Sequence, residues 1–223
     1  MDVYQITAEC DLKQVDPNYA KSDIGKLYYD RFNRSRTGAH WLPTRMKRLK
    51  RCPTLALSKS THWPDVLDSL VGHGFIVSAR LADVFRAAPT SQVEVFPLEL
   101  KGARGALPPS EYFIVNICSA VDAINMKAMR VKLWGVDHGH APDFDALTPD
   151  WDSLSRNPQW VLDQTRIPSD SQAFSLKHYC GGAHFVAGDL AKALKAGKFS
   201  WLKLDRVKFQ RDPETERRAR LER

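Results

Sequence analysis

The sequence predicts an α+β protein in which helices pack on a mostly antiparallel sheet. Two observations lead to this class. Several segments alternate in polarity or are rich in β-branched and aromatic residues, which is typical of strands. Two others, residues 79–88 and 189–196, space their apolar residues as a helix does. We expect one α+β domain over residues 1–210, with a basic region at 1–64 ahead of a core at 65–210, and then a charged tail at 211–223.

The first half of the chain combines strands with helices. Residues 3–8 alternate as a strand does, and residues 54–58 form a shorter one. Residues 64–70 start with a proline, which suits the first turn of a helix, so we predict a short helix there. Ser78 is a good N-cap for the helix at 79–88.

The second half consists mostly of strands. Residues 111–120 form the strongest predicted strand, because nearly all of their central residues are β-prone. The helix at 189–196 ends at Gly197. Further predicted strands lie at 92–100, 131–136, 174–176 and 199–207, with loops at 102–109 and 137–159.

Two segments of the chain resemble each other. Residues 75–87 and residues 184–196 both begin with a short apolar run and continue with helical spacing, and an alternating segment follows each. The likeness fits a duplicated strand–helix–strand unit, and it fits two ordinary units with a common pattern equally well. The sequence leaves both interpretations open.

Composition favours a cytoplasmic protein with an acidic partner. The 223 residues carry a formal net charge of +7, which favours nucleic acid, anionic lipid or an acidic protein surface. The first residues lack the pattern of a secretory signal, and no apolar run reaches the length of a membrane span. The cysteines are widely spaced, as is typical of reduced thiols in the cytosol: Cys10, Cys52, Cys118 and Cys180.

The most informative local feature is a stretch without acidic residues from residue 31 to residue 64. We predict that it contacts the partner. Two alternatives stay open: a solvated face balanced by acidic residues elsewhere in the fold, and a nucleic-acid contact over residues 31–59 in which Phe32, His40 and Trp41 stack on bases. The predicted partner-binding residues are Arg31, Arg34, Arg36, Trp41, Arg45, Lys47, Arg48, Lys50 and Arg51.

No cluster of residues predicts catalysis, a metal site or a cofactor. His138 and His140 have the spacing of a metal-binding pair, but no further ligand motif lies nearby, and a polar surface turn accounts for them. His178 and Cys180 would share one face of a strand as a base and a thiol, yet no third group is indicated to orient them. We therefore expect a binding protein and not an enzyme.

Between residues 60 and 207, apolar blocks with a few fixed polar residues follow one another in a defined order. They include YFIVNI at 112–117, VDAIN at 121–125 and HFV at 184–186. The remaining blocks lie at 75–78, 95–98, 190–194 and 199–204. With these blocks the chain resembles the bacterial polymorphic-toxin immunity family numbered eleven.

The resemblance implies a monomer or small homo-oligomer that binds a cognate toxin domain and blocks it. It implies no catalytic residue. Asp122, inside the VDAIN block, is then either a toxin contact or, as we expect, a cap for backbone N–H groups at the end of a strand. Nuclease toxins are usually basic, because they hold phosphates. A basic inhibitor therefore fits a toxin with a neutral or acidic face.

Overall fold

The computed structural model describes residues 1–8, 52, 54–56, 63–70, 74–102, 105–129, 133–134, 148–149, 159–176 and 183–211. Within these residues the fold is α+β and mostly antiparallel, as predicted. The strands are β1 Val3–Ala8, β2 Thr54–Ala56, β3 Val66–Leu70, β4 Gly74–Ser78, β5 Val93–Lys101, β6 Tyr112–Ile117, β7 Ala120–Val121, β8 Leu133–Trp134, β9 Thr148–Pro149, β10 Val161–Leu162, β11 Ala173–Leu176, β12 His184–Ala187, β13 Leu202–Arg206 and β14 Lys208–Phe209. The helices are α1 Ala79–Arg86, α2 Met126–Met129 and α3 Gly188–Ala196, with a 3₁₀ turn at Gln164–Arg166.

Most of the strands form two five-stranded sheets. The first sheet has the order β2-β5-β6-β4-β3, and the second has the order β13-β1-β12-β11-β7. Neighbouring strands are antiparallel except at one edge of each sheet, where β2 pairs with β5 and β7 pairs with β11 in parallel. Two smaller pairs, β8 with β9 and β10 with β14, complete the described strands.

The two sheets contain units of the same topology. In each, an antiparallel strand pair leads into a helix, as β3-β4-α1 and as β11-β12-α3. The next strand, β5 or β13, is separated from the strand before the helix by one antiparallel strand, which is β6 in the first sheet and β1 in the second. The similar sequences at 75–87 and 184–196 therefore occupy equivalent places in the two units.

One hydrophobic core joins both units. It contains apolar side chains of α1 and α3 together with residues from both sheets, such as Phe75 and Val186. Burying a side chain of this size contributes about 1.5–3 kcal/mol. Gln92 also connects the sheets, because its Oε1 accepts the backbone N–H groups of Gln172 and Ala173 at 2.7 and 3.1 Å.

Each sheet buries a second apolar face. Alternation along the strands produces this arrangement, since successive side chains point to opposite faces. In the first sheet, Val66 lies in the main core while Leu67 joins an outer cluster with Ile76 and Ile114. In the second sheet, Phe185 lies in a separate outer cluster.

The predicted helix at 64–70 is wrong, because this segment forms strand β3. β3 pairs with β4 as a hairpin, and Leu70 lies opposite Gly74. A segment of seven residues is too short for apolar spacing to separate a helix from a strand. Pairing with the fully buried strand β4 selects the strand conformation, and local propensity does not take such pairing into account.

Two predicted strands are shorter than expected. The segment 111–120 divides, because β6 ends at Ile117 in the first sheet while β7 belongs to the second sheet. The segment 199–207 becomes a strand only at Leu202, since the positive φ angles of Lys198 (45°) and Trp201 (63°) turn the chain before it. The structure describes only parts of the segments predicted at 54–58, 131–136 and 137–159. The tail beyond residue 211 lies outside the described residues.

The start of α1 and the end of α3 lie where the sequence predicts them, for two different physical reasons. Ser78 caps α1 as predicted, and its Oγ accepts the N–H of Leu81 at 3.4 Å. Gly197 is the C-cap of α3, as predicted, but its φ is −71° and requires no glycine. A Cβ atom there would lie 2.1 Å from the ring of Phe199, so the close approach of that ring explains the glycine.

Candidate interaction surface

The predicted partner-binding residues from Arg31 to Arg51, including Trp41, lie outside the described residues, as do His138, His140 and Cys180. The sequence still shows how the basic charge is distributed along the chain. Residues 9–62 contain twelve basic and five acidic side chains, whereas the rest of the chain contains equal numbers of each. The whole formal net charge of +7 therefore belongs to this one N-terminal segment.

In the described part of the chain, α1 and α3 contact each other and present charged side chains to solvent. Three cationic groups there lie over aromatic rings, an arrangement that attracts the cation to the ring face. The pairs are Arg80 over Phe199 at 4.4 Å, Arg86 over Phe113 at 4.3 Å and Lys195 over Tyr4 at 3.7 Å. The sequence did not reveal them, because each ring is distant along the chain.

Asp65 binds one of these cations, Arg80, and is itself held by several hydrogen bonds. Its carboxylate accepts hydrogen bonds from Arg80 at 2.6 Å, from the Ser78 hydroxyl at 2.7 Å and from the backbone N–H of Ser200 at 2.9 Å. Burial acts to raise the pKa of Asp65, but these hydrogen bonds outweigh it and lower the value from 3.8 to about 2. Asp65 is therefore ionised at neutral pH.

Arg80 fixes the relative position of the two helices. Its Nη1 donates to the carbonyl of Gly197 at the C-terminus of α3, at 3.0 Å, where a cation also complements the helix dipole. The Arg80 side chain nevertheless remains 57% exposed. An arginine held by three neighbours loses little side-chain entropy on meeting a partner, so this surface is ordered in advance.

Two polar side chains in the core lie next to each other. The hydroxyl of Ser175 is 2.9 Å from Nδ1 of His184, and the His184 ring meets Phe75 edge-on at 4.9 Å. Ser175 is 3% exposed and His184 is 1% exposed. A substrate has no route to such a buried pair, so its role is to satisfy polar groups inside the core. Sequence reasoning missed it, because the two residues meet only through the pairing of β11 with β12.

Asp122 has a structural contact, but not the expected one. Its carboxylate accepts a hydrogen bond from the guanidinium of Arg166 at 2.8 Å, and the two form an ion pair. This contact joins two side chains, and the expected backbone cap at this position stays a prediction. Arg166 lies in the 3₁₀ turn, far along the chain, and a local capping rule does not include such a partner.

The described ranges contain neither a metal-binding cluster nor a membrane-spanning helix. No group of three or more His, Cys, Asp or Glu residues there is arranged to hold a metal ion. None of the helices in the described ranges has the length and apolar character needed to cross a membrane.

Comparison with known protein families finds a match over almost the whole chain. The model of the Immunity protein family (Imm11) matches residues 10–209. The chain belongs to this immunity protein family. The resemblance seen in the sequence is thereby confirmed, but its expected start near residue 60 is wrong, since the match includes the basic N-terminal segment. A comparison with curated proteins finds no match.

Proposed function

We propose that this immunity protein neutralises a cognate bacterial toxin domain in the cytoplasm by binding to it, without catalysing a reaction. The observation that carries the proposal is the family match over residues 10–209. The toxin would be a polymorphic effector, such as one delivered by a type VI secretion system. The immunity protein would act as a monomer or small homo-oligomer.

The proposed contact surface is the acid-free stretch of the N-terminal segment. The proposed contacts are Arg31, Arg34, Arg36, Arg45, Lys47, Arg48, Lys50 and Arg51, with Trp41 among them. Two observations support it: the segment carries the entire net charge, and the family match includes it. A cationic surface of this kind accelerates association with a partner that presents an acidic face, and it sets the orientation of that partner.

The helix surface of α1 and α3 supports the same partner chemistry. Arg80, Arg86 and Lys195 are each held over a ring, and Lys195 has no carboxylate within ion-pair distance among the described residues. Ordered cations of this kind would offer further contacts for carboxylates on the toxin.

Co-expression tests the proposal. Cells producing the cognate toxin domain should survive only when they also produce the immunity protein. A purified, catalytically inactive form of that domain should bind it directly. Death of the cells despite folded immunity protein, or the absence of a complex, would remove the proposed function.

Nucleic-acid binding is the second candidate, and the acid-free stretch with its aromatic residues at 32, 40 and 41 favours it. A gel-shift assay at physiological salt separates the two. Tight binding to DNA or RNA, lost when Arg45, Lys47 and Arg48 are replaced by serine, would favour the second candidate.

A further inference from the structure

The loop between β5 and β6 carries an exposed apolar side chain. Leu107 is 77% exposed. Among the described residues, the other exposed large apolar side chain is Met1, at 42%. Ala106 and Pro109 beside it are exposed as well. Single exposed leucines are common on protein surfaces. The way in which the loop is held distinguishes Leu107 from them.

The root of the loop is closed by short hydrogen bonds. The N–H of Gly102 donates to the carbonyl of Ala106 at 2.7 Å, and the N–H of Gly105 donates to the carbonyl of Gly102 at 3.1 Å. Gly105 has a φ of +79°, which favours glycine. These contacts hold Gly102, Gly105 and Ala106 together directly before Leu107.

An aromatic side chain supports the same root. A Cβ atom on Gly102 would lie 2.9 Å from the Trp63 ring, so this ring packs directly on the backbone of the loop. Trp63 contacts Tyr112, with ring centroids 6.1 Å apart, and the Tyr112 hydroxyl donates to the carbonyl of Pro64 at 2.7 Å. The first sheet therefore holds the loop firmly at this side.

The far side of the loop is attached to α1. The carbonyl of Glu111 accepts the N–H of Ala79 at 2.9 Å, at the first residue of the helix. Between the two attachments, Pro108 and Pro109 each fix one backbone angle. A loop held in this way loses little conformational freedom when it enters a partner.

We propose that residues 105–109 form an apolar finger that inserts Leu107 into a concave apolar pocket on the cognate toxin domain. This inference rests on the proposed function and adds how the complex is kept together. Basic residues act mainly on the rate of encounter, whereas a buried apolar anchor acts on dissociation. The finger is therefore the part of the surface that sets the lifetime of the complex.

Dissociation kinetics test the proposal with the full-length chain and the inactive toxin domain. Leu107→Asp should dissociate roughly tenfold to hundredfold faster, the effect expected for losing one buried leucine, with a much smaller change in association. Thr90→Asp is the matched control. It places the same charge on an exposed residue before β5, at the other end of that strand from the finger, and should bind as the wild type does.

A second variant separates the finger's order from its side chain. Replacing Pro108 and Pro109 together by glycine keeps Leu107 but loosens the loop, and should also weaken the complex. Cooperative thermal unfolding establishes that both variants fold. Leu107→Asp should keep the wild-type melting temperature, since Leu107 is 77% exposed, and the double glycine variant should melt slightly lower, because glycine frees the unfolded chain. Wild-type kinetics in folded Leu107→Asp overturn the finger and leave the proposed function intact, whereas no binding by the wild type removes the proposed function. Wild-type self-association that Leu107→Asp abolishes also overturns it, because the pocket would then belong to a second copy of the chain.

Discussion

Asp65 and Ser200 bond to each other in both directions, although 135 residues separate them. The N–H of Asp65 donates to the Ser200 hydroxyl at 2.9 Å, and the N–H of Ser200 donates to the Asp65 carboxylate at 2.9 Å. The N–H of Val66 also donates to the carbonyl of Ser200, at 3.3 Å. These bonds join the start of β3 to the turn after α3, and so connect the two units where their helices meet.

Asp65→Asn is expected to destabilise the protein by about 2–3 kcal/mol at pH 7, because it removes the charge that orders Arg80, Ser78 and Ser200. Urea unfolding followed by tryptophan fluorescence measures the loss. The exposed Asp83 pairs with Arg86 on the same helix and offers a matched control. Asp83→Asn should cost less than about 1 kcal/mol. Equal losses in the two variants would contradict the assigned role of Asp65.

The same carboxyl group predicts a pH dependence. Burial opposes ionisation, but hydrogen bonds from Arg80, Ser78 and Ser200 lower the folded-state pKa of Asp65 from 3.8 to about 2. Its contribution, about 1–2 kcal/mol, is therefore complete above pH 4 and is lost as the pH falls from about 4 to 2. The stability difference between wild type and Asp65→Asn should shrink over that interval. A difference that stays constant from pH 7 to pH 2 would contradict the lowered pKa.

Gln92 predicts a second large loss of stability. It is 7% exposed, and its amide accepts from Gln172 and Ala173 while donating to the carbonyl of Asp170 at 3.1 Å. Gln92→Ala leaves three backbone groups without these bonds, at a cost of roughly 2–4 kcal/mol. Gln164→Ala, at an exposed glutamine, is the control and should change stability little. A small effect of Gln92→Ala would contradict the assigned role of Gln92 in holding the two sheets together.

How far the sequence predicts the fold depends on how local the deciding interaction is. Ser78 caps a helix through a residue three positions away, so sequence reasoning found it. The end of β6 depends on two distant bonds, from Cys118 to the carbonyl of Gln92 and from Ser175 to the carbonyl of Ser119. A strongly β-prone run gives no sign of such a boundary, so 111–120 was predicted as one strand.

For the candidate surface, too, the sequence predicts only what does not depend on distant contacts. The excess of basic residues is visible in the sequence, because charge can be counted without knowing the fold. The cations on α1 and α3 depend on rings brought from β1, β6 and the turn after α3, so only the structure reveals them. The predicted contacts from Arg31 to Arg51 lie outside the described residues and stay a prediction.

The close approach of Phe199 to Gly197 gives a prediction about packing. Gly197→Ala should destabilise the protein by about 1–3 kcal/mol, because the new methyl group meets a buried ring that is also stacked under Arg80. Ala196→Ser changes the exposed neighbouring residue and should have little effect. Thermal unfolding of the two variants provides the measurement. If Gly197→Ala were as stable as the wild type, the ring would not be fixed against this backbone.

Charge in the N-terminal segment predicts how the complex responds to salt. Replacing Arg45, Lys47 and Arg48 by glutamate should slow association with the toxin domain at least tenfold at low salt, because the segment carries the whole net charge. The difference from wild type should diminish as ionic strength rises and screens the charges. Lys203→Glu with Lys208→Glu changes exposed lysines of β13 and β14, which are not part of the acid-free stretch of the sequence, and is the control. Stopped-flow measurements between 20 mM and 500 mM salt, chosen to span a Debye length from roughly 20 Å to 4 Å, resolve the effect. An association rate that does not vary with salt in the wild type would remove charge steering from the proposed mechanism, even if the complex is tight.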